Sequence, residues 1–319
     1  MFSVFVIFRN KFFPTVNCAE DFLSTTVLFN AMAGPLEENY AKPLYADGKY
    51  DNPFPTWKQP RAFDLCKYFF CDADNSNIPN QKELDVTLPL HHPDFKEFQS
   101  PPVNGTRVVW LGHATMLVQF DGVTILTDPI FKGNKQWMED TGCSNVKEMT
   151  WWQEETVPNH PDIRVACTPC QHWSSRTGIL DVNQSLWSSW CVIGPTQRFY
   201  FAGDTGYCEA FKQIGHRYGP FSLAGIPIGA YQPRWFMRPQ HVEPEESVQI
   251  HLDVRSEKSI GIHWGTFKLT HEHYLEPKEK LREEVEKQNL SPQDFITLNH
   301  GEIRLICNKK LKELFSENC

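Results

Sequence analysis

The stretch that decides the fold lies between residues 107 and 126. Arg107-Val-Val-Trp-Leu111, Thr115-Met-Leu-Val-Gln-Phe120 and Val123-Thr-Ile-Leu126 are three short runs of β-branched and apolar residues. Asp121-Gly122, between the second run and the third, is a dipeptide typical of tight hairpin turns. The stretch therefore predicts three strands of antiparallel sheet.

The rest of the chain continues this pattern with helices added. Further apolar runs predict strands at 164–166, 186–193, 199–202, 223–228, 259–262 and 302–306. Helices are predicted at 209–218, 244–254 and 278–288, the second beginning with a proline and two glutamates, as helix N-termini favour. Strands and helices interleave without a strict βαβ rhythm, so we expect an α/β protein with mixed sheets covered by helices.

The chain before Arg107 is expected to be less regular. Residues 46–106 carry many Pro, Asn and aromatic residues with little periodicity, which predicts an irregular lead-in to one domain spanning 46–319. Residues 1–45 are expected to form a variable extension outside that domain. Its apolar leader precedes Arg9 and Lys11 instead of following them, opposite to a secretory signal, so we interpret it as dispensable, with a reversible membrane anchor as the alternative.

Composition narrows the classes of function. A chain of 319 residues with 40% hydrophobic content can bury a real core, which excludes wholesale disorder. The net charge of −8 and the lack of a basic patch argue against a nucleic-acid partner. No stretch approaches the roughly 20 apolar residues of a membrane-spanning helix. The ten cysteines mostly stand singly beside apolar runs, which predicts an intracellular, reducing environment rather than secretion.

Three polar residues follow predicted strands, where sites are usually built. They are His172, Asp204 and His263. Strand ends converge on one edge of a layered α/β protein, and two imidazoles with a carboxylate suit zinc. Each residue alone also has an ordinary interpretation, since a strand-end histidine is often structural and an aspartate can cap the next helix. The coincidence of all three favours a metal site.

Eight segments together resemble the N-acylphosphatidylethanolamine-hydrolysing phospholipase D family of the metallo-β-lactamase superfamily. They are Trp110-Leu-Gly-His-Ala-Thr115, Leu126-Thr-Asp-Pro-Ile-Phe131, Gln171-His-Trp173, Phe201-Ala-Gly-Asp-Thr-Gly-Tyr207, Ile226-Pro-Ile-Gly-Ala-Tyr231, Pro233-Arg-Trp-Phe-Met237, Gln240-His-Val242 and Ile262-His-Trp-Gly-Thr266. The resemblance covers about residues 50–306 with one break. It implies a metallo-β-lactamase-like αβ/βα four-layer sandwich, with part of its first half missing here, and a two-zinc site at one sheet edge.

The resemblance also implies a reaction and roles for residues. The reaction is hydrolysis of the phosphodiester of N-acylphosphatidylethanolamine to phosphatidic acid and an N-acylethanolamine. By position, His172 resembles a ligand of one zinc, His263 a ligand of the other, and Asp204 the carboxylate that bridges them. His241 matches a position that contacts the substrate phosphate. Two further residues match positions that would support the ligands: Asp128 and His113.

The partners that follow are a phospholipid substrate and a membrane surface. We expect peripheral association with the cytosolic face of a membrane, and homodimerisation stays open. Candidate phosphate contacts are Arg176, Arg234 and Arg238, because arginine pairs bidentately with phosphate, although surface solvation is the default alternative. Trp235, Phe236 and Met237 are candidates for an apolar lip near the membrane, with burial in a loop equally expected. Cys167-Thr-Pro-Cys170 is interpreted as structural.

The family motif H-x-H-x-D-H, which would supply the remaining zinc ligands, is absent. His271-Glu-His273 continues as Tyr-Leu-Glu, and His91-His92-Pro-Asp94 lies in the lead-in. After Phe131 the chain resembles a later part of the family, so a block of about 50 residues or more is skipped. Each zinc then keeps two protein ligands, with Asp204 shared, where a catalytic zinc normally has three.

The sequence therefore supports two alternative hypotheses about function. One is the zinc-dependent phosphodiesterase, and the other is a non-catalytic lipid-binding relative with an incomplete metal site. The skipped block has three candidate origins: a spliced isoform, an incomplete gene model, or a pseudoenzyme that has refilled the gap. Because the resemblance resumes cleanly after the break, the first two are favoured.

Overall fold

The computed structural model describes residues 5–8, 39–129, 147–175, 177 and 180–307. Its strands are β1 (Phe5–Phe8), β2 (Leu44–Ala46), β3 (Lys49–Asp51), β4 (Thr106–Gly112), β5 (Thr115–Phe120), β6 (Val123–Thr127), β7 (Glu154–Val157), β8 (His160–Thr168), β9 (Ser189–Ile193), β10 (Arg198–Phe201), β11 (Leu223–Pro227), β12 (Ser259–Ile262), β13 (Phe295–Thr297) and β14 (Ile303–Ile306). The helices are α1 (Ala62–Phe70), α2 (Gln81–Thr87), α3 (Ala210–Tyr218), α4 (Arg234–Met237), α5 (Pro244–Asp253) and α6 (Glu276–Lys287), with a 3₁₀-helix at Phe95–Gln99.

The first sheet has the strand order β1-β6-β5-β4-β14 and is antiparallel throughout. The predicted hairpin between β5 and β6 is confirmed, with Asp121 and Gly122 both at positive φ, 46° and 84°. Side chains alternate between the two faces, as the period of a strand requires. The inner face joins the main core through Val108, Trp110, Met116, Val118, Phe120, Val123 and Ile125. On the outer face Val109 and Leu117 pack against Phe98 of the 3₁₀-helix.

The second sheet has the order β13-β12-β11-β10-β9-β8-β7. Strands β10 to β13 are parallel and β7 to β10 are antiparallel, so the sheet is mixed, as predicted. Helices α3, α5 and α6 connect the parallel strands and bury the apolar residues that the sequence places on their inner faces: Phe211, Ile214, Tyr218, Leu281 and Val285. The two sheets face each other closely, since a Cβ added at Gly225 of β11 would lie 2.5 Å from Met116 Sδ of β5. The predicted α/β sandwich is confirmed.

The lead-in is more ordered than the sequence indicates. Helix α1 begins with a reciprocal cap between Arg61 and Asp64. Helix α2 is capped by the preceding Asn80, whose side chain accepts a hydrogen bond from the Glu83 amide. Helix α2 buries none of its residues, so it lacks the apolar periodicity by which helices are recognised in a sequence. The prediction of irregular structure over 46–106 is therefore wrong for these segments.

The N-terminal extension also contributes to the fold. Strand β1 pairs antiparallel with β6, with Phe5 opposite Thr127 and Phe8 opposite Thr124. These four residues thus belong to the first sheet, through a partner strand that lies more than 100 residues away and that no local pattern reveals. Among the described residues, no helix combines the length and apolar character needed to cross a bilayer.

Candidate metal centre

Three histidines and one aspartate at strand ends of the two sheets meet a fourth histidine, His241, from the loop between α4 and α5. The ring centroids of His113 and His263 lie 4.2 Å apart, those of His263 and His241 lie 5.0 Å apart, and those of His241 and His172 lie 5.3 Å apart. Asp204 joins the row through Oδ1, which lies 3.2 Å from His263 Nε2. The structure therefore brings together His172, Asp204 and His263, as the strand-end argument predicts, and places His241 between the two flanking histidines.

The backbone at two of these positions is left-handed, which is uncommon for residues other than glycine. His113 has φ 51° and His263 has φ 62°. The two segments hold each other, because the His263 amide donates to the His113 carbonyl at 2.8 Å and Trp110 Nε1 donates to the same carbonyl at 2.9 Å. The His113 amide donates to Thr266 Oγ1 at 2.8 Å. Strained backbone fixed in this way is typical of functional sites.

The orientation of His172 leaves one ring nitrogen free to bind a cation. Its Nδ1 lies 2.8 Å from the Trp173 carbonyl. A carbonyl can only accept, so Nδ1 carries the proton and Nε2 presents its lone pair. Nε2 is buried without a partner, and burial lowers the pKa of His172 to about 4. Asn52 Nδ2 donates to the His172 carbonyl at 2.8 Å and fixes this segment from the lead-in.

Asp204 and His263 form a buried pair in which each residue shifts the pKa of the other in favour of its charged form. Burial by itself would raise the pKa of Asp204, but the adjacent His263, and then His241 and His172, outweigh it and hold that pKa well below its usual range. Burial would likewise lower the pKa of His263, but Asp204 raises it above its usual value. The carboxylate is therefore ionised and available to a cation.

The loop that carries His241 is clamped by Arg234. Arg234 Nη1 donates to the His241 carbonyl at 2.7 Å, and Arg234 Nη2 pairs with Glu246 Oε2 at 2.7 Å. Arg234 Nε lies 3.2 Å from Glu243 Oε1. Three donor atoms of Arg234 are thus directed at two carboxylates and a carbonyl, and its contact with a phosphate stays a prediction. The sequence signal for the clamp is the pair of glutamates that follows Arg234 within twelve residues.

The remaining predicted residues have mixed outcomes. Asp128 is buried at the end of β6, where its carbonyl accepts from Thr115 Oγ1 at 2.8 Å, and its support of the ligands stays a prediction. Arg238 is exposed and pairs with Glu246, and Arg176 lies outside the described residues. Of the candidate lip, Trp235 is 41% exposed and the two residues after it are buried.

Two other features lie near the site, a carboxylate that holds a loop and a pair of buried thiols. Glu272 lies between the two histidines of His271-Glu-His273, and its carboxylate accepts hydrogen bonds from the Ala230 and Gln232 amides at 2.6 and 3.0 Å, which shapes the loop before α4. Cys167 and Cys170 are buried free thiols, and burial raises the pKa of Cys167 to about 12. Thiols held neutral in this way agree with their structural interpretation.

The side chains of the cluster carry the types of donor atom that bind a metal ion, but within the described residues their positions do not form a metal site. Four buried ring nitrogens of this cluster lack a hydrogen-bond partner: His113 Nδ1, His172 Nε2, His241 Nδ1 and His263 Nδ1. Asp204 Oδ1 has His263 Nε2, 3.2 Å away, as its neighbour. Imidazole nitrogen and carboxylate oxygen are the donors that zinc prefers. Within the described part of the chain, however, no three His, Cys, Asp or Glu side chains are arranged to hold one metal ion together. The described part of the cluster therefore offers the donor types of a metal centre.

Comparisons with known proteins show which family this chain resembles. Residues 121–264 match the model of the beta-lactamase superfamily domain. N-acyl-phosphatidylethanolamine-hydrolyzing phospholipase D 1 of Caenorhabditis elegans is 35% identical over an alignment of 341 positions, which covers 84% of this chain and 95% of that protein. The mitochondrial N-acyl-phosphatidylethanolamine-hydrolyzing phospholipase D of Saccharomyces cerevisiae is 42% identical, covering 80% of this chain and 77% of that protein.

Among solved structures, an isothiocyanate hydrolase from Delia radicum gut bacteria superimposes with a TM-score of 0.49 at 12% identity, covering 63% of this chain and 99% of that one. The identity and coverage of the two phospholipase D relatives establish the relationship. This chain belongs to the N-acylphosphatidylethanolamine-hydrolysing phospholipase D family, a family of metallo-hydrolases with the beta-lactamase fold.

Proposed function

We propose that the site acts on the phosphodiester of N-acylphosphatidylethanolamine and releases an N-acylethanolamine and phosphatidic acid. The observation that carries this proposal is the convergence of four unpartnered, buried imidazole nitrogens around the Asp204 carboxylate. Buried polar atoms of this kind are normally satisfied, so their clustering indicates a ligand. The names of the two curated relatives supply the lipid class.

The residues of this chain have distinct parts in that reaction. His172, Asp204 and His263 would hold zinc, which when bound lowers the pKa of water and neutralises charge on phosphoryl oxygens. His241 lies between His172 and His263 and is kept neutral by burial, which places its pKa well below the usual value. A neutral imidazole can donate one hydrogen bond, and His241 is positioned to orient a phosphoryl oxygen. Burial of the cluster excludes bulk water and strengthens each of these contacts.

A second candidate function is a non-catalytic relative that binds the lipid without hydrolysing it. It is favoured by the lack of any three-residue metal group among the described residues. It is also favoured by alignment length, because 84% of this chain is about 268 residues, whereas the alignment to the C. elegans relative spans 341 positions. About 70 positions of that alignment thus face no residue of this chain, in keeping with a skipped block that held further ligands.

Peripheral contact with the cytosolic face of a membrane is part of the proposal. Helix α1 exposes Phe63 and Phe70, seven residues apart and therefore on one face. The helix is joined to the site, because Tyr68 stacks on Phe236 of α4 at 4.8 Å and on His271 at 4.7 Å. An apolar helix face beside the site suits a protein whose substrate lies in a bilayer.

The two candidate functions differ in metal content and turnover. Purified protein would be assayed for bound zinc and for N-acylethanolamine release from vesicles that contain N-acylphosphatidylethanolamine. The phosphodiesterase predicts about two zinc per chain, turnover, and loss of both in Asp204→Asn but not in Arg238→Ala. Folded, monodisperse protein without zinc or turnover would contradict it and support the lipid-binding relative. Transcript sequences across the 131–133 junction would show whether a longer form exists.

A further inference from the structure

We infer that Gln171 is a positioning residue, which fixes His172, Asp204 and His241 relative to one another and so acts on the site through them. The reaction it serves is the one proposed above, and to that extent the inference rests on the proposed function. Gln171 directly precedes His172 and is fully buried. Its backbone amide, backbone carbonyl and both ends of its side-chain amide are hydrogen-bonded, and the partners come from three separate segments of the chain.

The backbone of Gln171 joins the segment of His172 to the segment of Asp204. The Gln171 amide donates to Thr205 Oγ1 at 3.0 Å, and the Gly206 amide donates to the Gln171 carbonyl at 2.8 Å. Thr205 Oγ1 itself donates to the Gly206 carbonyl at 2.7 Å, so its proton is committed and its lone pair receives the Gln171 amide. Because His172 follows Gln171 and Asp204 precedes Thr205, these bonds set the spacing between the two candidate ligands.

The side chain of Gln171 joins the same two segments to the loop of His241. Gln171 Nε2 donates to the Pro239 carbonyl at 2.7 Å, two residues before His241. The loop can approach this closely because residue 206 is a glycine, since a Cβ added at Gly206 would collide with the same Pro239 carbonyl. One buried amide therefore links the segments that carry His172, Asp204 and His241.

The orientation of that amide is fixed from the lead-in. Gln171 Oε1 accepts from Thr56 Oγ1 at 2.6 Å. A carbonyl can only accept, so turning the amide over would place two oxygens against each other at Pro239 and leave a buried donor without its acceptor. An apolar side chain of the same volume could fill this space. The set of directed bonds therefore indicates that Gln171 positions the site, and the loss of such supporting bonds typically costs 10–100-fold in activity or ligand affinity.

Gln119 offers a matched control, because it is equally buried but lies in strand β5 of the first sheet. Its Nε2 donates to the Phe98 carbonyl at 2.9 Å and to Thr124 Oγ1 at 2.8 Å, and its Oε1 accepts from Arg107 Nη1 at 3.0 Å. Gln171→Met and Gln119→Met each keep the side-chain length and remove the buried hydrogen bonds. We expect both to lower the thermal midpoint by about 2–8 °C, so stability does not distinguish them.

Nuclear magnetic resonance of the imidazole rings, recorded on metal-free protein, distinguishes the two variants. The signals of His172 and His241 are assigned from single His→Gln variants, and the distant His251 serves as internal reference. Gln171→Met should move the ring signals of His172 and His241 and leave His251 unchanged, whereas Gln119→Met should leave all three in place. Unchanged His172 and His241 signals in Gln171→Met, or equal changes at His251, would show a structural glutamine and overturn the inference.

A second pair of variants decides the question if Gln171→Met does not fold. Thr56 is exposed, so Thr56→Val removes the donor to Gln171 Oε1 at the surface, and Thr56→Ser keeps that donor. Thr56→Val should move the His172 and His241 signals and Thr56→Ser should restore their wild-type positions. Identical spectra for these two variants would then overturn the inference.

Turnover of vesicles that contain N-acylphosphatidylethanolamine separates this inference from the proposed function. In active protein, Gln171→Met should lower kcat at least about tenfold, because small displacements of reacting groups are costly, and Gln119→Met should stay within about twofold of the wild type. Equal kcat values for the two variants would contradict the positioning role. A wild-type protein without turnover would contradict the proposed function alone, and the imidazole spectra would still decide whether Gln171 positions the cluster.

Discussion

His251 is a buried histidine away from the candidate metal centre, and its protonation can be examined without any metal. Its Nδ1 lies 2.8 Å from Ser259 Oγ, and its ring stacks on Phe295 at 5.7 Å. Burial lowers its pKa to about 4, with Asp294 raising and Lys258 lowering that pKa by smaller amounts. The neutral ring is therefore a requirement of the folded state.

A pH dependence of stability follows from this residue. The unfolded chain titrates His251 near 6.5 and the folded chain near 4, so between these values the unfolded state binds more protons. Above pH 6.5 both states are neutral and the contribution is complete. As pH falls from 6.5 towards 4, the free energy of unfolding should fall by up to about 1.4 kcal/mol per pH unit. His251→Gln keeps a hydrogen-bonding partner for Ser259 and lacks the titration.

Urea denaturation at several pH values measures the effect. Other buried histidines titrate in both proteins, so the difference between wild type and His251→Gln isolates this one. We expect the advantage of the wild type to shrink as pH decreases from 6.5 to 4. Parallel stability curves over this range would contradict the interpretation.

At the scale of elements, the loop from α4 to α5 is held by one guanidinium. Arg234→Ala would leave the largely buried Glu246 without its nearest cation and the His241 carbonyl without a donor. We expect a loss of about 2–3 kcal/mol in the free energy of unfolding. Arg238→Ala is the matched control, because Arg238 contacts the same glutamate at 3.4 Å but is 75% exposed, and it should change stability by less than about 0.5 kcal/mol. Similar effects for both variants would show that Arg234 does not clamp the loop.

The crossing of α3 and α5 depends on the absence of a side chain at Gly215. A Cβ there would lie 2.0 Å from the Asp253 carbonyl oxygen. Alanine normally stabilises a helix interior by about 1 kcal/mol relative to glycine. Here we expect Gly215→Ala to destabilise by about 2 kcal/mol or more, since two helix backbones must separate. The exposed Lys212→Ala in the same helix serves as control, and a stabilising Gly215→Ala would refute the close crossing.

These elements show which local structure a sequence reveals. Strand β5 was predictable because Met116, Val118 and Phe120 alternate with residues of the opposite face, and α3 because its apolar residues recur at helical spacing. Helix α2 was not predictable, since none of its residues is buried and only its N-terminal cap marks it in the sequence. Strand β1 was not, because it is stabilised by a partner far along the chain.

At the scale of the whole molecule, the candidate site was predictable where strand ends and family motifs coincide. His172, Asp204 and His263 each follow a strand of the second sheet, and that sheet brings them together at one edge. The left-handed backbone of His113 and the clamp formed by Arg234 were not predictable, because both arise from contacts between distant segments. Sequence alone assigns residue types to an edge, whereas the hydrogen bonds that orient them depend on the assembled fold.

The exposed apolar face of α1 predicts that the whole molecule associates with membranes. The net charge of −8 opposes attraction to anionic lipid, so binding should depend on apolar contact and change little between about 0.15 and 0.5 M salt. Phe63→Ser/Phe70→Ser should weaken sedimentation with phospholipid vesicles at least about tenfold, because each ring contributes about 1.5–3 kcal/mol when buried. Val86→Ser/Val103→Ser removes exposed apolar side chains elsewhere and should leave binding unchanged. Binding that survives the phenylalanine substitutions, or that disappears with added salt, would show that α1 is not the contact surface.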